Sequence, residues 1–221
     1  MPSKARKALD ENLDDIDRLV SFHTSAGGTG RGRRRDLEVL NKSAIVLITS
    51  YWEAYCEDIA AEALEHILTH CASSGDLPLE IRKVISKELK NEKNELSVWE
   101  VADDKWRSYL TSRLDRMKTE RNRRLNNPKS ANVDELFEKT LGLKNVSSTW
   151  RWSKRLTIKG TRDKLNKFIE LRGEIAHRGK SADTVKKAQV IDYRNFIESL
   201  AAKTGGKVNS HVKSITGTPL W

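Results

Sequence analysis

The residues with the clearest chemical potential are an arginine and a histidine five positions apart, in the segment FIELRGEIAHRGK at residues 168–180. Histidine exchanges protons near neutral pH. Arginine carries a permanent charge and presents a planar fork of donors to carboxylate or phosphate oxygens. Arg172 and His177 therefore combine proton transfer with anion binding.

The helical pattern around this pair gives Arg172 an unusual position. At about 100° per residue, the arginine lies near the middle of an apolar arc, and His177 lies about 140° away at the last turn. The arc consists of Leu165, Phe168, Ile169 and Ala176. Two interpretations follow: a structural arginine paired with a buried carboxylate beside a histidine that favours the helix dipole, or a functional pair.

The composition indicates an anionic partner and a reducing environment. The chain has 221 residues, a net charge of +10 and a pI of about 9.6, which favours nucleic acid, although a protein that is merely basic has the same composition. Two cysteines are too few for a disulfide framework. The N-terminus lacks the apolar core of a secretory signal, and no run is long enough to span a membrane. We expect a cytoplasmic protein.

Helical periodicity runs through almost the whole chain, so the sequence predicts an all-α fold of about six or seven helices. The first two predicted helices span 4–24 and 35–72. A third has Asp76 as its N-cap, a fourth spans 98–124, and a short fifth helix is capped by Ser130 or Asn132. The last two run from Thr161 to Gly179 and from Asp183 to about Lys203. We expect one domain over 1–204, with its core at about 35–204, and a loosely held tail at 205–221 that begins at Gly205-Gly206.

Several motifs that could bind ligands lack the context they need. GGTGRGRRR at 27–35 has no preceding strand, so it is either a solvated linker or a basic loop that touches nucleic acid backbone. His66, His70 and Cys71 lack a fourth ligand, so we expect no metal site. Cys56 lies among core positions.

The six tryptophans could pack in the core or stack on bases. Trp52, Trp99 and Trp106 lie on helical stripes, which favours the core. Trp150 and Trp152, in TWRWSKR, lie among cations. They either contact nucleic acid or pin an irregular segment to the bundle.

An ordered set of segments resembles a known family. ELRGEIAHRG resembles the Arg-x4-6-His motif of HEPN domains. ITSYWEAYCEDIA and RLNNPKSANVDELFEKTLGLKNVSSTWRW precede it in the order found in the RiboL-PSP-HEPN type and related bacterial HEPN nucleases. The resemblance covers roughly Leu37 to Leu200.

The resemblance implies a helical bundle that forms a homodimer and cleaves RNA without a metal or other cofactor, in defence or toxin–antitoxin systems. It assigns catalysis to Arg172 and His177 in a cleft shared by two protomers. Attack of a ribose 2′-hydroxyl on phosphorus needs a base, an acid and a cation, and two Arg–His pairs supply them. An antitoxin or regulatory protein is a further expected partner.

Other residues are expected to support that pair. Four cations are candidates to hold the RNA backbone: Lys154, Arg155, Arg178 and Lys180. Two carboxylates of the long second helix, Glu53 and Glu57, are candidates to orient Arg172.

The sequence departs from the family pattern at Gly173, where many HEPN nucleases carry a polar residue, often Asn. The alternatives to an enzyme are therefore a non-catalytic HEPN module that binds RNA or a partner protein, and a helical scaffold whose positive charge is incidental.

Overall fold

The computed structural model describes residues 2–27, 37–119, 125, 127–154, 156–178 and 184–221. These residues form seven α-helices and three 3-10 helices and contain no strand, which confirms the all-α prediction. The α-helices are α1 (Lys4–Gly27), α2 (Glu38–His70), α3 (Leu79–Lys90), α4 (Lys105–Thr119), α5 (Ser130–Leu141), α6 (Ile158–Arg178) and α7 (Lys187–Thr216). The 3-10 helices are η1 (Ser74–Asp76), η2 (Glu95–Val101) and η3 (Val146–Thr149).

Helix α2 is the central element of the bundle. It has 33 residues, and α1, α4, α5, α6 and α7 all pack against it. Its apolar residues are not confined to one stripe, as expected for a helix that is covered on several sides. Trp52, Cys56 and Ile59 at its centre are fully buried. The predicted second helix and the core positions of Trp52 and Cys56 are confirmed.

The N-terminal helix α1 is held along α2 by an apolar stripe and by a carboxylate. Leu9, Leu13 and Ile16 are buried, as the periodicity predicts. Glu62 of α2 accepts hydrogen bonds of 3.1 Å from the backbone N–H groups of Lys4 and Ala5. The carboxylate thus satisfies donors that the first turn of a helix leaves unpaired.

The predicted third and fourth helices need correction. Asp76 does not cap α3; it belongs to η1, where its carboxylate accepts from the backbone N–H and hydroxyl of Ser73 at 3.0 and 2.8 Å. The stretch predicted as one helix from 98 is divided into η2 and α4, and Asp103 between them has φ of +52°. Trp99, predicted in the core, is 65% exposed because η2 does not continue the buried stripe. Residues 120–124 lie outside the described residues.

Helix α7 continues through the glycine pair that was predicted to end it. It runs to Thr216, and Gly217 with φ of +76° forms its C-cap. A Cβ at Gly205 would lie 2.8 Å from the Tyr55 hydroxyl oxygen, so this glycine allows α7 to approach α2 closely. The prediction of a helix end at about Lys203 is wrong, and the division into a domain and a tail remains a prediction.

The remaining helix boundaries agree with the sequence in part. Gly142 ends α5 with φ of +68°, as predicted. The N-cap of α5 is Lys129, which makes no side-chain capping bond, so neither Ser130 nor Asn132 has the predicted role. Helix α6 begins at Ile158 instead of Thr161. Helix α7, predicted to start from Asp183 as its cap, begins at Lys187 with Lys186 as its N-cap. Gly179, the predicted end of α6, and Asp183 itself lie outside the described residues.

None of the described helices combines the length and the apolar character that a membrane crossing requires.

Candidate active site

Helix α6 carries both Arg172 and His177 and is fixed to the bundle along its first two-thirds. Its buried side chains include Thr161, Leu165 and Ile169. Polar contacts to α5 and α7 add to this packing. Asn166 accepts from the backbone N–H of Ser130 at 3.0 Å, Lys129 pairs with Glu170 at 2.7 Å, and Lys164 pairs with Asp192 at 2.7 Å. These contacts fix the direction in which the last two turns of α6 project.

Arg172 is half-buried, and its Nε atom is buried without a hydrogen-bond partner among the described residues. An unpaired buried donor costs about 1–3 kcal/mol and is uncommon in folded proteins. The guanidinium is therefore only partly satisfied by the described part of this chain. Such an N–H group is well suited to donate a hydrogen bond to an anionic oxygen.

Glu53 is the carboxylate that the structure brings near this arginine. Burial raises the pKa of Glu53 above its ordinary value, and the positive charge of Arg172 lowers it in part. The interaction between Glu53 and Arg172 is electrostatic. Glu57 lies one turn further along α2 and is also half-buried.

Tyr193 of α7 lies within electrostatic range of the same arginine and was not identified from the sequence. Burial raises the pKa of its hydroxyl, while a hydrogen bond with Thr49 and the charge of Arg172 lower it in part. The Tyr193 and Thr49 oxygens are 3.1 Å apart, and the Tyr193 ring stacks on Phe168 at 3.9 Å. The apolar spacing of α7 could have placed Tyr193 in the core, but no local pattern indicates that it lies within electrostatic range of Arg172.

His177 lies in the last turn of α6 and is exposed. Five helical residues separate it from Arg172 by about 7.5 Å of rise and about 140° of rotation. Ala176, which the sequence places on the apolar arc, is exposed as well. The end of α6 therefore presents an accessible histidine, and its Arg172 lies on a different side of the helix.

A family model described as RiboL-PSP-HEPN matches residues 10–209 of this chain. The chain belongs to the RiboL-PSP-HEPN family. HEPN domains include ribonucleases, commonly bind RNA and often dimerise. No curated protein and no solved structure matches the chain significantly.

Of the cations proposed to hold RNA in this HEPN domain, Lys154 is exposed after η3. Arg155 and Lys180 lie outside the described residues. Arg178 ends α6, but its side chain also lies outside the described part of the chain.

The two tryptophans of TWRWSKR have different environments in the HEPN fold. Trp150 is fully buried, and its indole N–H donates to Thr204 Oγ1 at 2.9 Å, so it pins the segment after η3 to α7. Trp152 retains 36% exposure and packs against Phe196. The structural interpretation therefore holds for Trp150, and Trp152 has an accessible ring.

The His66–His70 pair of this HEPN protein lies near the end of α2. The two rings stack with their centroids 4.0 Å apart, and His66 Nε2 lies 3.1 Å from Thr218 Oγ1. The described residues contain no group of three or more His, Cys, Asp or Glu side chains arranged to hold a metal ion.

Proposed function

We propose that this protein is a metal-independent endoribonuclease that acts in the cytoplasm as a homodimer, in a defence or toxin–antitoxin setting. Arg172 and His177 are its catalytic residues, and RNA is its substrate. The observation that carries the proposal is the buried Nε of Arg172, which has no hydrogen-bond partner among the described residues and lies on the helix that also presents an exposed His177.

Arg172 would stabilise the transition state. Attack of a 2′-hydroxyl on the adjacent phosphorus concentrates negative charge on the non-bridging oxygens. A guanidinium with an unsatisfied donor gains hydrogen bonds to those oxygens as the charge develops, and its fork geometry suits them. Glu53 interacts electrostatically with the guanidinium and is a positioning residue in this proposal.

His177 would transfer protons. In the first step an imidazole nitrogen accepts the proton of the 2′-hydroxyl as the oxygen bonds to phosphorus. The 5′-oxygen leaves with a proton from an acid, and the products are a 2′,3′-cyclic phosphate and a 5′-hydroxyl. The reaction as written consumes no water.

A homodimer would supply both proton-transfer groups. Arg172 and His177 of one α6 diverge by about 140° around the helix. Two α6 helices that meet at their exposed C-terminal turns would bring two histidines and two arginines to one cleft. One histidine would then be the base and the other the acid. Exposure of Ala176 and His177 leaves this end of α6 open to a second copy.

Lys154, Arg155, Arg178 and Lys180 would hold the RNA backbone. An antitoxin or regulatory protein would act by covering the same positively charged surface. Both roles follow from charge complementarity between cations and the phosphate backbone.

A second function, a non-catalytic module that binds RNA or a partner protein, is favoured by Gly173. A Cβ at this position would have no atom within 4 Å, so the described residues leave space for the polar side chain that many HEPN nucleases carry there. Salt-sensitive RNA binding without cleavage, unchanged by His177→Ala, would establish this function instead.

The proposed activity is tested by incubating purified protein with total bacterial RNA in excess EDTA. Wild-type protein should cleave, and His177→Ala and Arg172→Ala, checked for folding by circular dichroism, should not. Cleavage that EDTA abolishes would overturn the metal-independent mechanism. The ends of the products supply a second criterion, because the mechanism requires 2′,3′-cyclic phosphate and 5′-hydroxyl ends.

A further inference from the structure

We infer that Trp152 forms a base-stacking subsite for single-stranded RNA next to the Arg172 site. The inference rests on the proposed function and extends it, because it specifies an unpaired base as part of the substrate. Trp52, Trp106 and Trp150 are buried in the core. Trp152 lies on an accessible segment, and 36% of its surface is exposed.

The ring of Trp152 is the exposed end of a connected aromatic cluster. Its centroid lies 5.7 Å from that of Phe196, and Phe196 lies 6.1 Å from Phe168. Phe168 stacks on Tyr193, with ring planes only 7° apart. The cluster therefore runs from the surface at Trp152 to the core of the bundle.

The same cluster ends beside the proposed catalytic arginine. Phe168 precedes Arg172 by four residues on α6, so the two side chains lie on the same helix face. Tyr193 lies close enough to Arg172 for the guanidinium to influence its ionisation. Arg172 and Trp152 are thus connected through the Phe168 and Phe196 rings, and in this proposal an RNA strand whose phosphate contacts Arg172 extends toward Trp152.

The aromatic rings behind Trp152 are packed in the core. Phe196 and Tyr193 are buried, and the Tyr193 hydroxyl is hydrogen-bonded to Thr49. A tryptophan fixed against packed rings has little conformational freedom left to lose when a base stacks on it, which favours binding. Base–aromatic stacking is a major source of affinity for single strands and tolerates any base.

The charges around Trp152 suit a nucleic acid. The neighbouring Arg151 and Lys154 are both exposed. The ammonium of Lys164 lies 4.8 Å from the centroid of the Phe196 ring, where it adds positive potential, although it also pairs with Asp192. An aromatic ring between cations is the combination found in sites for single-stranded nucleic acid.

Trp99 provides a matched control within the same chain. It is more exposed than Trp152, at 65%, but it lies on η2 between the exposed carboxylates of Glu95 and Glu100. Negative charge beside an exposed ring opposes the approach of a phosphate backbone. Exposure alone therefore does not distinguish the two tryptophans, whereas the local charge does.

The test measures binding, so that it does not depend on cleavage. A fluorescein-labelled 2′-O-methyl oligoribonucleotide, which lacks the attacking hydroxyl, is titrated with full-length protein and followed by anisotropy at several salt concentrations. Trp152→Leu should weaken binding about 5- to 100-fold, the range expected for the loss of one stacked base. The salt dependence should stay the same because no phosphate contact is lost. Trp152→Phe should retain most of the affinity, and Trp99→Leu should bind as the wild type does.

A scan with abasic nucleotides tests the same contact without any change to the protein. One abasic position should weaken binding to the wild type and have little further effect on Trp152→Leu, because both changes remove the same stack. The subsite would be overturned if the wild type and Trp152→Leu bound with equal affinity, or if Trp99→Leu lost as much affinity as Trp152→Leu. It would also be overturned if no abasic position weakened binding, or if the wild type did not bind the oligonucleotide. A Trp152-dependent binder that fails to cleave RNA would contradict the nuclease proposal and leave the subsite in place.

Discussion

Burial raises the pKa of Glu53 on α2, and the guanidinium of Arg172 on α6 lies close enough to lower it in part. The two residues are 119 positions apart in the chain. Packing of α6 against α2 brings the carboxyl group of one helix within electrostatic range of the arginine of the other, whose Nε has no hydrogen-bond partner in the described part of the chain. The electrostatic interaction between Glu53 and Arg172 therefore contributes to the pH dependence of the stability of the bundle and also affects the candidate site.

Replacing Glu53 with Gln should change how stability depends on pH. A carboxyl group with a raised pKa binds more protons in the folded state, so the wild type loses stability as the pH rises from about 4.5 through the folded-state pKa. Gln cannot ionise. Urea titrations at about pH 4 and about pH 7 give the free energy of unfolding of both proteins. The difference between Glu53→Gln and the wild type should be more favourable to the variant at about pH 7 than at about pH 4.

The Arg172→Met variant is the control for this prediction. Without the guanidinium, the positive charge that lowers the pKa of Glu53 is lost, so this pKa should rise further. The pH window over which stability falls should therefore widen. A Glu53→Gln protein that loses stability relative to the wild type between these pH values would show that the carboxylate is net stabilising.

The adjacent glycines of α7 should respond in opposite ways to alanine. At Gly205 the new Cβ would lie 2.8 Å from the Tyr55 hydroxyl oxygen, which donates to the Ala201 carbonyl at 2.8 Å. Overpacking and loss of that bond should cost about 1–3 kcal/mol. Gly206→Ala meets nothing within 4 Å and should stabilise the helix by up to about 1 kcal/mol. Urea unfolding of both variants tests this; equal effects would contradict the close approach of α7 to α2.

Glu62→Ala should loosen α1. The change removes the acceptor of the Lys4 and Ala5 backbone N–H groups. A loss of about 1–2 kcal/mol in the free energy of unfolding is expected for such a capping contact. Glu11→Ala, at an exposed position on α1, is the control and should change stability by less than about 0.5 kcal/mol. Hydrogen exchange should report faster opening of α1 in Glu62→Ala only.

His211 should make the protein less stable in mild acid. Burial lowers its pKa, and its Nε2–H donates to the Leu141 carbonyl at 2.9 Å. The folded state therefore binds fewer protons than the unfolded state, and stability falls as the pH drops below about 6.5. His211→Gln keeps a donor without a titrating group and should reduce the difference in urea midpoint between about pH 7 and about pH 5. Part of the difference should remain, because burial also lowers the pKa of His66. An unchanged difference would contradict the assignment to His211.

The sequence predicts the parts of the fold that depend on periodicity. The long second helix, the buried Trp52 and the α1 stripe all follow from apolar spacing. The break between η2 and α4 was missed because the apolar residues keep helical spacing across Asp103, whose positive φ is not evident from its type. Gly205-Gly206 was misjudged for the opposite reason, since a glycine required by the Tyr55 contact looks the same in sequence as one that ends a helix.

The candidate site was predictable in its motif and less so in its surroundings. Arg172 and His177 were identified from spacing and resemblance. The WEAYCED pattern pointed to Glu53 and Glu57 as residues that orient Arg172; Glu53 lies within electrostatic range of the arginine, and the orienting role of both carboxylates stays a prediction. The cluster of Trp152, Phe196, Phe168 and Tyr193 depends on contacts between segments far apart in the chain, and no local pattern marks it.

The most direct test of the central claim is a time course of cleavage of one defined single-stranded RNA in excess EDTA, by the wild type, His177→Ala and Arg172→Ala at equal folded concentrations. The proposal predicts that His177→Ala lowers the rate by about 10²- to 10⁴-fold and that Arg172→Ala lowers it by at least about 10²-fold. Equal rates for the three proteins, or no cleavage by any of them, would contradict the claim that Arg172 and His177 form a ribonuclease site.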